Sequence, residues 1–225
     1  MKIALLMNKN SYVGREYLDA LNKAKISVDI ICIGDYPEES RVEEERCAGL
    51  WKPPIFENII NGNKVKYFDN LNNRDLQKFL EEEQYDVGIQ GGVGILKADV
   101  IKRFKRGILN FHPGKLPEYR GCSAPEWQIR EGQPVMCTCH LVDEGIDSGR
   151  IYAMQRLNVP TNNYYEMRAS IYPKISEMLV DILKNITPNF VEQCTLQDEK
   201  KAVYRKYIGD DAIEELKKEM QENKK

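Results

Sequence analysis

The chain has 225 residues but only two histidines, His112 and His140, so acid–base chemistry near neutral pH has few places to sit. His112 lies in Asn110-Phe111-His112-Pro113. Strand alternation puts Asn110 and His112 on one side, and Pro113 stops the strand where open α/β sheets bind ligands. An amide donor beside an imidazole, facing one spot, suits stabilisation of an oxyanion on a tetrahedral intermediate. The same pair suits closure of a strand end by hydrogen bonds, and the spacing does not choose between them. Cys137-Thr138-Cys139-His140 is the nearest thing to a metal signature. Alternation sends Cys137 and Cys139 to one face and His140 to the other, so three ligands do not converge and no metal is expected. It also predicts that His140 is a structural residue pointing away from the His112 side. The six cysteines form no C-x-x-C pair and read as reduced, buried small hydrophobes.

The elements that must carry these residues alternate between strand and helix. Apolar, β-branched runs predict strands over residues 2–7, 28–33, 65–68, 86–90 and 107–112, as strands buried on both faces should read. Helical spacing predicts helices over 13–24, 74–83 and 98–106, with a further helix-prone acidic stretch at 38–50 closed by Pro53-Pro54. Strands separated by crossover helices imply a mostly parallel, Rossmann-like α/β sheet. No G-x-G-x-x-G follows the first strand, where Asn8–Ser11 stands, so a dinucleotide is not expected in the usual crevice. The turn Gly91–Gly94 lacks the lysine and hydroxyl of a P-loop and reads as a tight βα turn or a backbone contact to a ligand. Residues 114–125 form an irregular, glycine- and proline-punctuated segment suited to a functional loop. Two more strands are predicted at 135–142 and 150–157. A long helix follows at 164–184, with Ile171, Ile175, Met178, Leu179 and Ile182 along one face, and an amphipathic helix at 211–221.

Composition narrows the class. Hydrophobic residues make up 42% and charged residues 30%, a globular balance rather than a disordered one. A formal net charge of −2 argues against a nucleic-acid partner. No apolar run approaches the length of a membrane span, and the opening apolar run breaks at Asn8-Lys9-Asn10, too soon for a secretory leader. A cytoplasmic location without membrane contact is the expectation.

Asn110-Phe111-His112-Pro113-Gly114-Lys115-Leu116-Pro117 and the following glycine-containing loop resemble the signature of the folate-dependent formyltransferases. Gly114 stands where many members carry serine. His140-Leu141-Val142-Asp143-Glu144-Gly145-Ile146-Asp147-Ser148-Gly149 is similar to the family's second signature, a strand with histidine leading to D-x-G. Gly94-Ile95-Leu96 lies where its folate-contacting pair should be. The resemblance implies a Rossmann-like formyltransferase fold, with residues 1–185 as the catalytic domain. Residues 186–225 would form a short extension packed on the core or at a dimer interface. It further implies transfer of the formyl group of 10-formyltetrahydrofolate to an amine, without a metal. Asn110, His112 and Asp147 become the catalytic set, with Asn110 and His112 on the oxyanion and Asp147 relaying the amine proton. A carboxylate beside the imidazole is expected to raise the His112 pKa. Gly94, Ile95, Leu96, Val142, Asp143 and Glu144 become the folate-binding set.

The resemblance also offers three acceptors: methionyl-tRNA, glycinamide ribonucleotide and nucleotide-linked amino sugars. The tRNA enzymes carry a further C-terminal barrel, for which the remaining chain looks too short. The glycinamide ribonucleotide enzymes carry a glycine- and serine-rich phosphate loop where this chain has Asn8-Lys9-Asn10-Ser11. Tyr119–Trp127 looks most like the sugar N-formyltransferases of polysaccharide biosynthesis. Arg120 is then a pyrophosphate contact, with Lys9 and Asn10 as further substrate-binding residues. Glycinamide ribonucleotide formylation, a non-catalytic folate-binding module and a formyl-folate hydrolase remain alternatives. A homodimer is expected by analogy.

Overall fold

The middle of the molecule is a sheet whose first strand, Ile3–Met7, is buried along its whole length. The computed structural model describes residues 1–34, 45–60 and 62–222. In it β1 (Ile3–Met7), β2 (Asp29–Ile33), β3 (Val65–Phe68), β4 (Val87–Gly91), β5 (Ile108–His112), β7 (Met136–Leu141) and β8 (Ile151–Arg156) form one sheet, ordered β3-β2-β1-β4-β5-β7-β8. Strands β1 to β5 are parallel, while β7 runs antiparallel to β5 and β8 antiparallel to β7. Alternation splits the inner strands between two cores. Leu5, Met7, Ile30 and Cys32 enter the larger one, and Ala4, Leu6, Ile31 and Ile33 the smaller.

Helices cover both faces. Helix α1 (Tyr12–Lys23) packs Tyr17, Leu18 and Leu21 into the larger core, and α3 (Arg74–Glu83) packs Leu76 and Leu80 into the smaller, after the four-residue α2 (Phe56–Ile59). The run expected to be helical over 98–106 is helical only as α4 (Ala98–Ile101). Beyond it the backbone N–H groups of Lys105 and Arg106 turn to the carbonyls of Tyr85 and Asp86, so tertiary hydrogen bonds displace the helical ones. Of the helix-prone stretch 38–50, residues 38–44 lie outside the described residues, and 47–49 form a turn. Helix α5 (Ala124–Arg130) rises directly from the irregular loop. Helix α6 (Tyr164–Asn185) starts at Asn163, whose side chain accepts from the N–H groups of Tyr165 and Glu166, an N-cap. It buries Ile171, Ile175, Met178, Leu179 and Leu183.

Residues 186–222 return to the same core. Phe190 in α7 (Phe190–Gln193), Cys194 and Ile208 join the larger cluster, as do Ile213, Leu216 and Met220 of α8 (Asp210–Glu222). Between them β9 (Tyr204–Arg205) pairs with β6 (Arg120–Gly121), with Arg120 opposite Tyr204 and Gly121 opposite Arg205. Among the described residues, no helix is long and apolar enough to cross a membrane.

The strand order reverses between β1 and β4, and there α1 lies close on the sheet. A Cβ at Gly14 would sit 2.5 Å from the Gly91 carbonyl oxygen and 2.7 Å from the Met7 Cβ, so the helix would have to lift away. Gly14→Ala is therefore expected to lower stability in urea unfolding by roughly 1–3 kcal/mol, the usual cost of overpacking. An unchanged midpoint would refute this close contact.

Candidate active site

The site is assembled where β5 and β7 run side by side. Antiparallel register places Asn110 opposite His140 and His112 opposite Thr138, so all four share one face of the sheet. The other face of β7 sends Cys137 and Cys139 into the core. His140 therefore does not point away from the catalytic side. It lies 2% exposed beside Asn110, with Asn110 Nδ2 3.1 Å from its Nε2. The signal for this was the pairing across two strands, which alternation within one strand does not contain.

Asp147 comes in from the turn after β7, with φ of +51°, a left-handed conformation that aspartate adopts more readily than most residues. Its two carboxylate oxygens face different neighbours. Oδ1 lies 3.5 Å from Asn110 Nδ2 and 3.6 Å from His140 Nε2. Oδ2 accepts the Gly121 N–H at 2.9 Å and lies 3.4 Å from His112 Nδ1. Burial by itself pushes the carboxyl pKa up. The nearby His140 and His112 side chains and the Gly121 N–H outweigh it and bring Asp147 down to about 2, so it is ionised throughout the neutral range.

His112 follows the opposite balance. Its Nε2 lies 2.6 Å from the Tyr119 carbonyl oxygen, an acceptor, so that nitrogen carries the proton. The side chain is almost wholly buried, and burial pushes the imidazole below its ordinary pKa against the attraction of Asp147. The expectation that the carboxylate raises the His112 pKa is thus corrected, because desolvation is the larger effect. Gly114 matters to this placement. A Cβ there would lie 2.6 Å from His112 Nε2 and 2.8 Å from the Ala124 Cβ. Buried Gln128 holds the adjoining loop, accepting from the N–H groups of Lys115 and Met136 and donating to the Pro113 and Ala124 carbonyls.

Beside Asn110, His140 and Asp147 opens a cleft of about 180 Å³. Gly94, Ile95, Leu96, Val142 and Asp143 line it as the sequence suggests, whereas Glu144 does not; Gly145 and Ile146 take that place. Gln90, which the sequence reading missed, also lines the cleft and donates to the Gly94 carbonyl. Leu96 is core at 2% exposure, while Ile95 stands 69% exposed. His112 is not on the cleft wall and meets Asp147 from behind. The guanidinium assigned above to a pyrophosphate, that of Arg120, is instead held by Gln197 and Glu199. Lys9 and Asn10 are half-buried at the end of β1, beside the strand-order reversal.

Over 143 residues the chain is 28% identical to the methionyl-tRNA formyltransferase of Wolbachia pipientis subsp. Culex pipiens, covering 60% of this chain and 47% of that protein. It spans about half the length of the curated relatives it matches. The crystal structure of a 4-N formyltransferase from Francisella tularensis superposes with a TM-score of 0.61 at 20% identity, covering 91% of this chain and 76% of that one. The N-formyltransferase from Helicobacter canadensis, solved with folinic acid and dTDP-3-aminofucose, gives 0.58 at 15% identity, covering 91% and 70%. At these identities the structural likeness carries the fold alone.

Two measurements follow from the pair of buried groups. A folded-state pKa near 2 for Asp147, against an unfolded value of ~3.9, gives stability that is present above pH 4 and lost as pH falls toward 2. Asp147→Asn is therefore expected to cost roughly 2 kcal/mol in urea unfolding at pH 7, with the difference narrowing as the pH falls. A pH-independent difference would contradict the ionised carboxylate. In an NMR titration, the His112 ring resonance is expected below the ordinary ~6.5 and lower still in Asp147→Asn; a midpoint above 6.5 would reverse the balance described here.

The Formyl transferase family model matches residues 1–185, a span that holds every residue of the cleft and the Asp147 cluster, and the chain belongs to that family.

Proposed function

We propose that the protein is an N-formyltransferase that moves the formyl group of 10-formyltetrahydrofolate to the amine of a nucleotide-linked amino sugar. The observation that carries the reaction is the Asp147 carboxylate shared between Asn110 and His140 at the cleft and His112 behind it. The amine nitrogen attacks the formyl carbon, the bond from that carbon to N10 breaks, and one amine proton ends on N10. Asn110, on the cleft wall, donates its amide N–H to the oxyanion of the tetrahedral intermediate. His112 donates its Nε2 proton to the Tyr119 carbonyl and turns Nδ1 toward Asp147 rather than the cleft, so the amine proton reaches that lone pair through the Asp147 carboxylate. Asp147 holds the resulting imidazolium until that proton passes to N10. General acid–base transfer of this kind contributes roughly 10²–10⁴ in rate.

The cleft is smaller than the ~300–1,000 Å³ that encloses a whole drug-sized ligand. It takes the bicyclic head of the folate between Gly94–Leu96 and Val142–Ile146 and leaves the tail outside. The acceptor enters from the other side of the formyl group. There Lys9 and Asn10 follow β1 at the switch point of the sheet, where α/β folds place ligands, and they take its phosphate groups. The sugar reading is supported by the sugar-nucleotide ligand of the Helicobacter canadensis enzyme. A net charge of −2 weighs against tRNA, whose binding rests on neutralised phosphates.

The test is an assay with 10-formyltetrahydrofolate and a panel of dTDP- and UDP-linked amino sugars, glycinamide ribonucleotide, methionyl-tRNA and no acceptor. Product is detected by mass. Turnover is expected with one amino sugar, reduced by about 10²–10³ in Asn110→Ala and strongly in His112→Ala. Formylation of glycinamide ribonucleotide or methionyl-tRNA alone would overturn the acceptor, and tetrahydrofolate release without acceptor would indicate a hydrolase. Bound folate without turnover on any acceptor would favour a binding module.

A further inference from the structure

Gln197 lies beyond the span that matches the family, yet it reaches the turn that carries Asp147. Its side-chain Nε2 donates to the backbone carbonyls of Asp147, at 2.8 Å, and Gly149, at 2.7 Å. Its Oε1 accepts from Arg120 Nε at 3.0 Å and Nη2 at 2.8 Å. The amide cannot be turned over, because its oxygen would then face two carbonyls and its NH₂ would face a guanidinium. Arg120 therefore fixes which way Gln197 points. The guanidinium is completed by Glu199, at 3.0 and 2.6 Å.

The same segment grips the other loop of the site. Val203 N–H donates to the Pro117 carbonyl, Arg120 N–H to the Val203 carbonyl and Cys122 N–H to the Arg205 carbonyl. Those bonds bracket Tyr119, whose carbonyl meets His112, and Gly121, whose N–H meets Asp147. Both loops that supply partners to the catalytic groups are thus tied to one C-terminal segment, residues 197–205.

We propose that Gln197 is a positioning residue for formyl transfer, fixing the backbone of Asp147 so that one carboxylate oxygen faces Asn110 and His140 and the other faces His112 and Gly121. The proposal rests on the reading of the reaction given above. It also gives Arg120 a task, which is to orient Gln197 rather than to bind the acceptor.

The test compares Gln197→Ala and Gln197→Glu with Asn110→Ala in the full chain. Glutamate is close in size and still accepts from Arg120 but has no N–H for the two carbonyls. Both Gln197 variants are expected to lose about 10–100-fold in kcat, as misplacement of a reacting group by an ångström does. Their KM for 10-formyltetrahydrofolate should change far less than kcat, within about threefold, because neither variant removes a cleft-lining side chain. The NMR titration midpoint of His112, which needs no substrate and is easily followed in a chain with two histidines, is expected to move in both variants. Wild-type kcat with an unmoved His112 midpoint would overturn the proposal. So would a loss of activity equal to the loss of folded protein in the amide spectrum, which marks a purely structural role. Inactive Asn110→Ala beside fully active Gln197 variants would reject the Gln197 proposal alone, whereas fully active Asn110→Ala would reject the catalytic reading and this proposal with it.

Discussion

A carboxylate removed from water must be met on both oxygens, and Asp147 is met from two directions. Its side chain is 13% exposed, and an ion at that depth loses several kcal/mol of hydration. Hydrogen bonds to a charged group return roughly 1.5–3 kcal/mol each, so no one partner suffices. Asn110 and His140 come from adjacent strands of the sheet, Gly121 and His112 from the irregular loop and the strand that precedes it. The balance holds only if these separate pieces of chain are fixed to within fractions of an ångström.

Much of the surrounding structure serves that requirement. The antiparallel pairing of β7 with β5 breaks the parallel order of the sheet and sets Asn110 against His140. Gln128 holds the loop after His112 from below, and Gly114 leaves room for the imidazole. The C-terminal segment then ties that loop to the Asp147 turn. Burial and pairing pull in opposite directions at the two ionisable partners. Pairing wins at Asp147 and burial wins at His112, leaving a fixed negative charge beside an imidazole held below its ordinary pKa.

The sequence exposed those parts whose cause is local. Strands β1 and β2 are apolar on both faces, so their residues announce them without any tertiary knowledge. The Asn110-x-His112 alternation likewise places two side chains together by backbone geometry alone. What failed to show depends on partners far along the chain. His140 belongs to the site because of its register with a strand thirty residues away. Arg120 is committed to residues 77 and 79 positions later, a pairing that no local spacing announces. The helix expected over 98–106 stops early because Tyr85 and Asp86 offer its backbone other acceptors. Glu144 and Ile146 differ in their place at the cleft through the shape of one turn, which residue types alone do not determine.

The site depends on the ionised Asp147 carboxylate, and the Gly121 amide bonded to it reports that state directly. The most direct measurement follows the Gly121 amide proton by NMR from pH 7 to pH 3. A carboxyl group held near pH 2 predicts a resonance that stays almost unmoved down to pH 3, remaining at the downfield position of a hydrogen bond to a charged acceptor. A titration step centred near ~4, the ordinary range of an aspartate, would show a carboxylate held by none of these partners and would contradict its ionised, paired state in the site.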